Sequence, residues 1–126
     1  MRVWLNDRPG MGERGRYPDY LIVGAPRSGT TFMFDYLGEH SQIFNSARKE
    51  PNFFATDLDS GSYLDSLSFM RDRDQYRALF AGARADQLAG EASTWHIYSK
   101  HAASNIRSAN PNARIIIMLR HPVEML

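Results

Sequence analysis

The run Gly24-Ala25-Pro26-Arg27-Ser28-Gly29-Thr30-Thr31 sets two glycines, an arginine and a threonine pair between an apolar stretch, Tyr20-Leu21-Ile22-Val23, and a segment of helical periodicity. Its spacing, G-x-x-x-x-G followed by helix-opening residues, is that of a phosphate loop. Glycines let the backbone close round an oxyanion, several N–H groups point inward, and the helix N-terminus adds its dipole. Thr30 and Thr31 can add hydroxyl donors, and Arg27 a planar cation. A tight strand–helix turn that binds nothing is the alternative. The glycine spacing, the arginine and the flanking elements together favour an anion site.

The loop departs from that of a nucleoside triphosphatase. Thr30 stands where such a loop carries the lysine that reaches the outer phosphates, and the cation has moved inside the loop as Arg27. The last strand is followed by Arg120-His121-Pro122, with no Asp to hold magnesium. Hydrolysis of ATP or GTP therefore lacks two of its parts. A degenerate P-loop kinase or NTPase remains as a weaker alternative.

The elements that must position the loop follow from the pattern of the chain. Tyr20–Val23 predicts a short buried strand, and Phe32, Met33, Tyr36 and Leu37 predict one face of a helix ending near residues 38–40. Ile43-Phe44 fits a second strand, and Leu88–Ala92 a third. Tyr63–Met70 and Gln75–Phe80 fit two short helices separated by the charged stretch 71–74. Trp95–Ala109 is expected as one helix with Ser93 or Thr94 as its N-cap. Arg114–Leu119 is expected as a buried strand. Alternating strands and helices with continuous apolar strands predict an α/β, three-layer P-loop-type fold around a central parallel sheet. Residues 1–18, rich in Gly and Arg, read as a flexible leader, and 19–126 as one domain.

Composition narrows the function classes. The chain has 126 residues, and its 15 basic and 14 acidic side chains leave a net charge of +1, which argues against a dedicated nucleic-acid binder. Thirteen of the basic residues are Arg, so cationic sites are forked donors suited to oxyanions. With 43% hydrophobic and 23% charged residues the chain reads as globular. It has no Cys, which excludes disulfides, zinc–thiolate sites and thiol catalysis. The longest apolar run, Ile115–Leu119, is strand-sized, and the N-terminus lacks the apolar core of a secretory signal. The expectation is a soluble cytoplasmic protein, or the soluble part of something larger.

Four segments carry a family resemblance. Pro26-Arg27-Ser28-Gly29-Thr30-Thr31 resembles the 5′-phosphosulfate loop of sulfotransferases that use 3′-phosphoadenosine 5′-phosphosulfate (PAPS). Lys49-Glu50-Pro51-Asn52-Phe53-Phe54 resembles the acidic-residue-plus-two-Phe motif of the heparan-sulfate-type branch and its bacterial relatives. Gly90-Glu91-Ala92-Ser93-Thr94 resembles the strand and turn behind the acceptor site, and Arg114–Glu124 the strand and Arg that open the 3′-phosphate site. The resemblance spans residues 20–126.

The resemblance implies transfer of a sulfuryl group from PAPS, without a metal, to an acceptor hydroxyl or amine, carbohydrate somewhat favoured. It assigns Pro26, Arg27, Ser28, Gly29, Thr30 and Thr31 to the donor's 5′ side and Arg120 to its 3′-phosphate. Glu50 matches the acidic residue that serves as general base, and a solvated Glu paired with Arg48 or Lys49 is the alternative. Arg27 stands where many relatives have Lys and is expected to act electrostatically; Lys49 is a candidate contact for the sulfuryl oxygens, or a solvent-exposed residue. Phe53 and Phe54 are expected as packing. The histidine base of the cytosolic branch would fall near Thr94, whereas His96 and His101 read as surface or packing residues and Trp95 as core or acceptor wall. Ala92 stands where heparan-type members often have Lys. The family pairs Arg120 with a Ser that would lie beyond Leu126, so the fold's C-terminal part is expected to be missing. A non-catalytic fragment that binds PAPS or its product is the second reading. Acceptor identity and oligomeric state are not legible.

Overall fold

The computed structural model describes residues 15–58 and 69–125. Four parallel strands form one sheet in the order β2-β3-β1-β4, with β1 Tyr20–Gly24, β2 Ile43–Asn45, β3 Leu88–Ala92 and β4 Arg114–Ile117. The helices are α1 Thr30–Gly38, α2 Arg73–Ala78 and α3 Ala102–Ala109, with short 3-10 turns at Thr94–Tyr98 and Pro122–Met125.

β1 is central because both its faces are apolar. Side chains alternate across a strand, so Leu21 and Val23 enter one core while Tyr20 and Ile22 enter the other. Phe34, Met33 and Leu37 of α1 close the Ile22 side. Tyr76 and Phe80 with Ile106 of α3 close the Leu21 side, giving the expected three layers. Around Tyr76 the aromatic rings interlock: Phe53 stacks at 4.3 Å, and Phe54 and Phe80 meet it edge-on at 5.3 Å. Each such pair adds about 0.5–1.5 kcal/mol beyond area burial. These contacts fix the C-terminal end of the Lys49–Phe54 motif, Phe53 and Phe54, against α2.

Several expectations change. Residues 15–18, assigned to a leader, are packed: Arg16 is buried, pairs with Asp19 at 3.1 Å and donates to the Gln87 carbonyl. Residues 1–14 and 63–68 lie outside the described residues, with the rest of the leader and most of the first expected short helix. The charged stretch before Gln75 opens α2 itself, since the Asp72 carboxylate accepts from the Gln75 N–H at 2.9 Å. The single helix expected over 95–109 is two elements. Ser99 is extended, and its hydroxyl accepts the His101 and Ala102 N–H groups while donating to Asp57. Neither Ser93 nor Thr94 caps by side chain. β4 stops at Ile117, short of the expected Leu119, and is the last strand in the order among the described residues, with Ile115 45% and Ile117 56% exposed.

Candidate active site

The chain leaves β1 toward β2 through α1 on one face, and leaves β3 toward β4 through the 3-10 turn and α3 on the other. Connections that diverge in this way open a crevice beyond the carboxyl ends of the strands. The glycine loop lies there. Ala25 N–H donates to the Met118 carbonyl at 2.7 Å and Met118 N–H to the Gly24 carbonyl at 2.8 Å, so the loop is stitched to the segment after β4. Gly24 has φ +155°, and a Cβ there would stand 2.7 Å from Ile97 Cγ2. Gly29 has φ +82° immediately before α1, and its carbonyl accepts the Met33 N–H that starts the helix. Arg27 also takes a left-handed conformation, φ +61°, which a non-glycine residue adopts at a cost.

The predicted loop residues divide by exposure. Ser28 and Thr30 are buried, Arg27, Gly29 and Thr31 are exposed, and Pro26 is intermediate. Arg120 donates to the backbone carbonyl of Arg27 at 3.2 Å, which brings the two proposed cationic grips to one place. Thr30, Thr31, Lys49 and Glu50 line one cavity of about 100 Å³ with Phe34 and Ala92. A larger apolar cavity of about 390 Å³, between β4 and α3, is lined by none of the predicted site residues.

Glu50 is held on a left-handed turn. Glu50 and Asn52 both have φ +52°, and Pro51 lies between them. The turn is tied to the end of β3: Glu50 N–H donates to the Ala92 carbonyl at 3.2 Å, and Asn52 N–H to Ser93 Oγ at 2.9 Å. The Glu50 carboxylate accepts from the Thr94 N–H at 2.8 Å and from its hydroxyl at 3.2 Å. Burial pushes the Glu50 pKa up, against the backbone and side-chain hydrogen bonds from Thr94, which favour the charged form. A carboxylate of raised basicity beside donors for an oxyanion can take a proton from a hydroxyl or amine while charge develops elsewhere.

The other singled-out residues fall outside this cavity. His96 is buried, and its Nε2 accepts the Phe54 N–H at 3.3 Å, so the neutral ring carries its proton on Nδ1. Burial, helped by Arg71, lowers its pKa to about 4, and it is a packing residue. His101 is exposed; Trp95 is half-buried against Tyr98. Among the described residues no cluster of His, Asp and Glu is arranged to hold a metal ion.

Sequence reasoning missed Thr94 as the partner of Glu50, and it gave Asn52, Ser93 and Tyr76 no part in holding the Glu50 turn or the buried Glu91. Two signals were present. Asn is enriched in left-handed conformations, which suits position 52, and a Glu inside the apolar run Leu88–Ala92 marks a buried carboxyl that needs a donor.

A parallel α/β sheet with a glycine loop and a helix N-terminus at its carboxyl edge defines the P-loop type of oxyanion-binding fold. Within that class, the family model described as "Sulfotransferase family" matches residues 18–126, and the chain belongs to this family. It is 32% identical over 108 residues to membrane-associated sulfotransferase kil1 of Dictyostelium discoideum, covering 85% of this chain and 21% of that protein. It is 26% identical to heparan sulfate glucosamine 3-O-sulfotransferase 6 of Homo sapiens, covering 87% of this chain and 29% of that one. The crystal structure of a sulfotransferase from Alicyclobacillus acidocaldarius superimposes with a TM-score of 0.78 at 35% identity, covering 86% of this chain and 46% of that chain. The chain thus spans less than a third of these curated relatives and less than half of the solved structure.

Proposed function

We propose that this chain forms the PAPS-binding portion of a sulfotransferase that acts on a carbohydrate hydroxyl or amine. The observation that carries the reading is the convergence of Thr30, Thr31, Lys49 and Glu50 on one cavity at the mouth of the glycine loop. The donor's 5′-phosphosulfate would lie against the loop amides and the N-terminus of α1, with Arg27 beside it and Arg120 toward the 3′-phosphate. The acceptor oxygen or nitrogen attacks sulfur and the bond from sulfur to the bridging phosphate oxygen breaks. Glu50 takes the acceptor's proton, and adenosine 3′,5′-bisphosphate departs. Charge accumulates on the departing phosphate oxygen, where prepositioned N–H donors and a guanidinium act without reorganising. Arg27 is a poor proton donor, so its part is electrostatic. The carbohydrate acceptor is supported by the heparan sulfate and carbohydrate sulfotransferases among the relatives.

The test is to incubate the chain with sulfur-labelled PAPS and glycan acceptors, and to measure adenosine 3′,5′-bisphosphate binding by calorimetry. The expected result is binding that Arg27→Ala abolishes, and transfer that Glu50→Gln lowers while binding persists. Binding without transfer would favour the non-catalytic module. Labelling that depends on ATP and magnesium would overturn both.

A further inference from the structure

No helix or strand runs through residues 50–55, so the backbone polar groups of the segment that carries Glu50 must find partners elsewhere. Its amides go to β3 and the turn after it. The Glu50, Asn52 and Phe54 N–H groups donate in turn to the Ala92 carbonyl at 3.2 Å, Ser93 Oγ at 2.9 Å and His96 Nε2 at 3.3 Å. Three of its carbonyls go to one side chain. Arg71 Nη1 donates to the Asn52 carbonyl at 3.0 Å and the Phe53 carbonyl at 3.1 Å, and Nη2 donates to the Ala55 carbonyl at 3.1 Å. Nη1 also reaches the Met70 carbonyl at 3.2 Å, and Met70 N–H donates to the Pro51 carbonyl at 2.9 Å. The guanidinium lies over the Phe69 ring, 5.0 Å from its centroid. Asn52 and Ala55 are buried, so their carbonyls depend on a protein donor. Arg71 opens the charged stretch that the sequence reads as a spacer between two short helices, and the fold instead turns it onto the Glu50 loop.

We propose that Arg71 is a positioning residue for Glu50: its guanidinium fork gathers the carbonyls of Asn52, Phe53 and Ala55 and so seats the Glu50–Asn52 turn against Thr94. The role rests on Glu50 being the base. Glu50 and Asn52 both have φ +52°, a conformation that residues other than glycine keep only where their surroundings hold it. The bonds to the Glu50 carboxylate itself come from Thr94, and Arg71 acts through the residues that follow. Asn52 joins the two. Its N–H donates to Ser93, its carbonyl accepts from Arg71, and its side-chain amide donates to the Glu50 carbonyl at 3.0 Å. One planar group with two terminal nitrogens serves carbonyls as far apart as Asn52 and Ala55, which the point charge of an ammonium does less well. Burial first, and Arg71 second, keep His96 neutral, which leaves its Nε2 free to accept the Phe54 N–H.

The experiment is NMR on the whole chain, comparing wild type with Arg71→Met, which keeps an unbranched stem and removes the fork. Amide hydrogen exchange comes first, with Met33 N–H, which starts α1, as the internal reference. Exchange at Asn52 and Phe54 should quicken by about tenfold or more relative to Met33. The Thr94 amide proton then reports where the Glu50 carboxylate sits, because it is bonded to it. The part of its pH-dependent shift that Glu50→Gln abolishes should shrink by about half or more in Arg71→Met. If Arg71→Met does not fold, Arg71→Lys, which keeps the charge without the fork, should show both changes at a smaller size. Unchanged exchange ratios in the variant measured, equal quickening at all three amides, or an unaltered Thr94 shift would overturn the proposal. Where transfer is measured, Arg71→Met should lower kcat about tenfold with bisphosphate affinity unchanged, and a loss confined to bisphosphate affinity would overturn it. If wild type transfers no sulfuryl group, the sulfotransferase reading fails, while the amide ratios and the Thr94 shift still decide the role of Arg71.

Discussion

Glu91→Gln removes a carboxyl that the fold keeps protonated far above its usual range, and the effect on stability should depend on pH with a calculable sign. The Glu91 pKa rises from 4.5 to about 7 in the folded protein. Between those values the native state binds the proton more tightly than the unfolded chain, so stability falls as pH rises. His96 does the opposite: its pKa drops from 6.5 to about 4, so stability rises with pH across that window. Each shift, at about 1.4 kcal/mol per pH unit, amounts to about 3 kcal/mol. Over pH 4.5–6.5, where the windows overlap, the two slopes nearly cancel. Urea unfolding at half-unit pH steps tests this through differences between proteins, which removes the contributions of groups common to both. Relative to wild type, Glu91→Gln should gain about 3 kcal/mol between pH 4.5 and pH 7, whatever its constant offset. His96→Gln should lose a similar amount between pH 4 and pH 6.5. A difference curve for Glu91→Gln that stays flat across its window would refute the reasoning, because it would mean Glu91 ionises in the fold as it does in water.

Two further outcomes follow from the same contacts. Gly29→Ala should cost about 1–2 kcal/mol, because a Cβ there meets Met118 Cε at an ordinary 3.6 Å and the penalty comes from the positive φ; thermal unfolding should show Gly29→Asn to cost less. Tyr76→Phe leaves Glu91 without its hydroxyl donor, so it should destabilise by about 1–3 kcal/mol and move the Glu91 midpoint above its wild-type value in a carboxyl-carbon titration.

Much of the sheet, and the place of the glycine loop between a strand and a helix, were legible because their signals are local. Tyr20–Val23 is apolar on both faces, which suits only a covered strand, and the fold gives β1 neighbours on both sides. Gly29 before a helical pattern marks a left-handed entry, and α1 starts at the next residue. The helix expected over 95–109 failed for a non-local reason. The Ser99 hydroxyl is bound by Asp57, far back in the chain, and a hydroxyl so engaged holds Ser99 extended and restarts the helix after it. β4 reads as a doubly covered strand because Ile115-Ile116-Ile117 is uniformly apolar. The structure gives it one strand neighbour, β1, among the described residues.

The sequence alone determined the chemistry at hand: an arginine inside a glycine loop, a threonine pair opening a helix, a Lys-Glu pair before two phenylalanines, and no thiol. Those are properties of residue type and short spacing, and they carried the family resemblance. The tertiary structure alone decided who faces whom. It brought Thr94 onto the Glu50 carboxylate, Arg120 onto the Arg27 carbonyl and Tyr76 onto Glu91. Each pair joins different elements of the chain: two meet beyond the carboxyl ends of the parallel strands, and the third sets a helix residue against β3. Burial raises the pKa of both carboxyls by removing water, and water is lost only once the chain has folded.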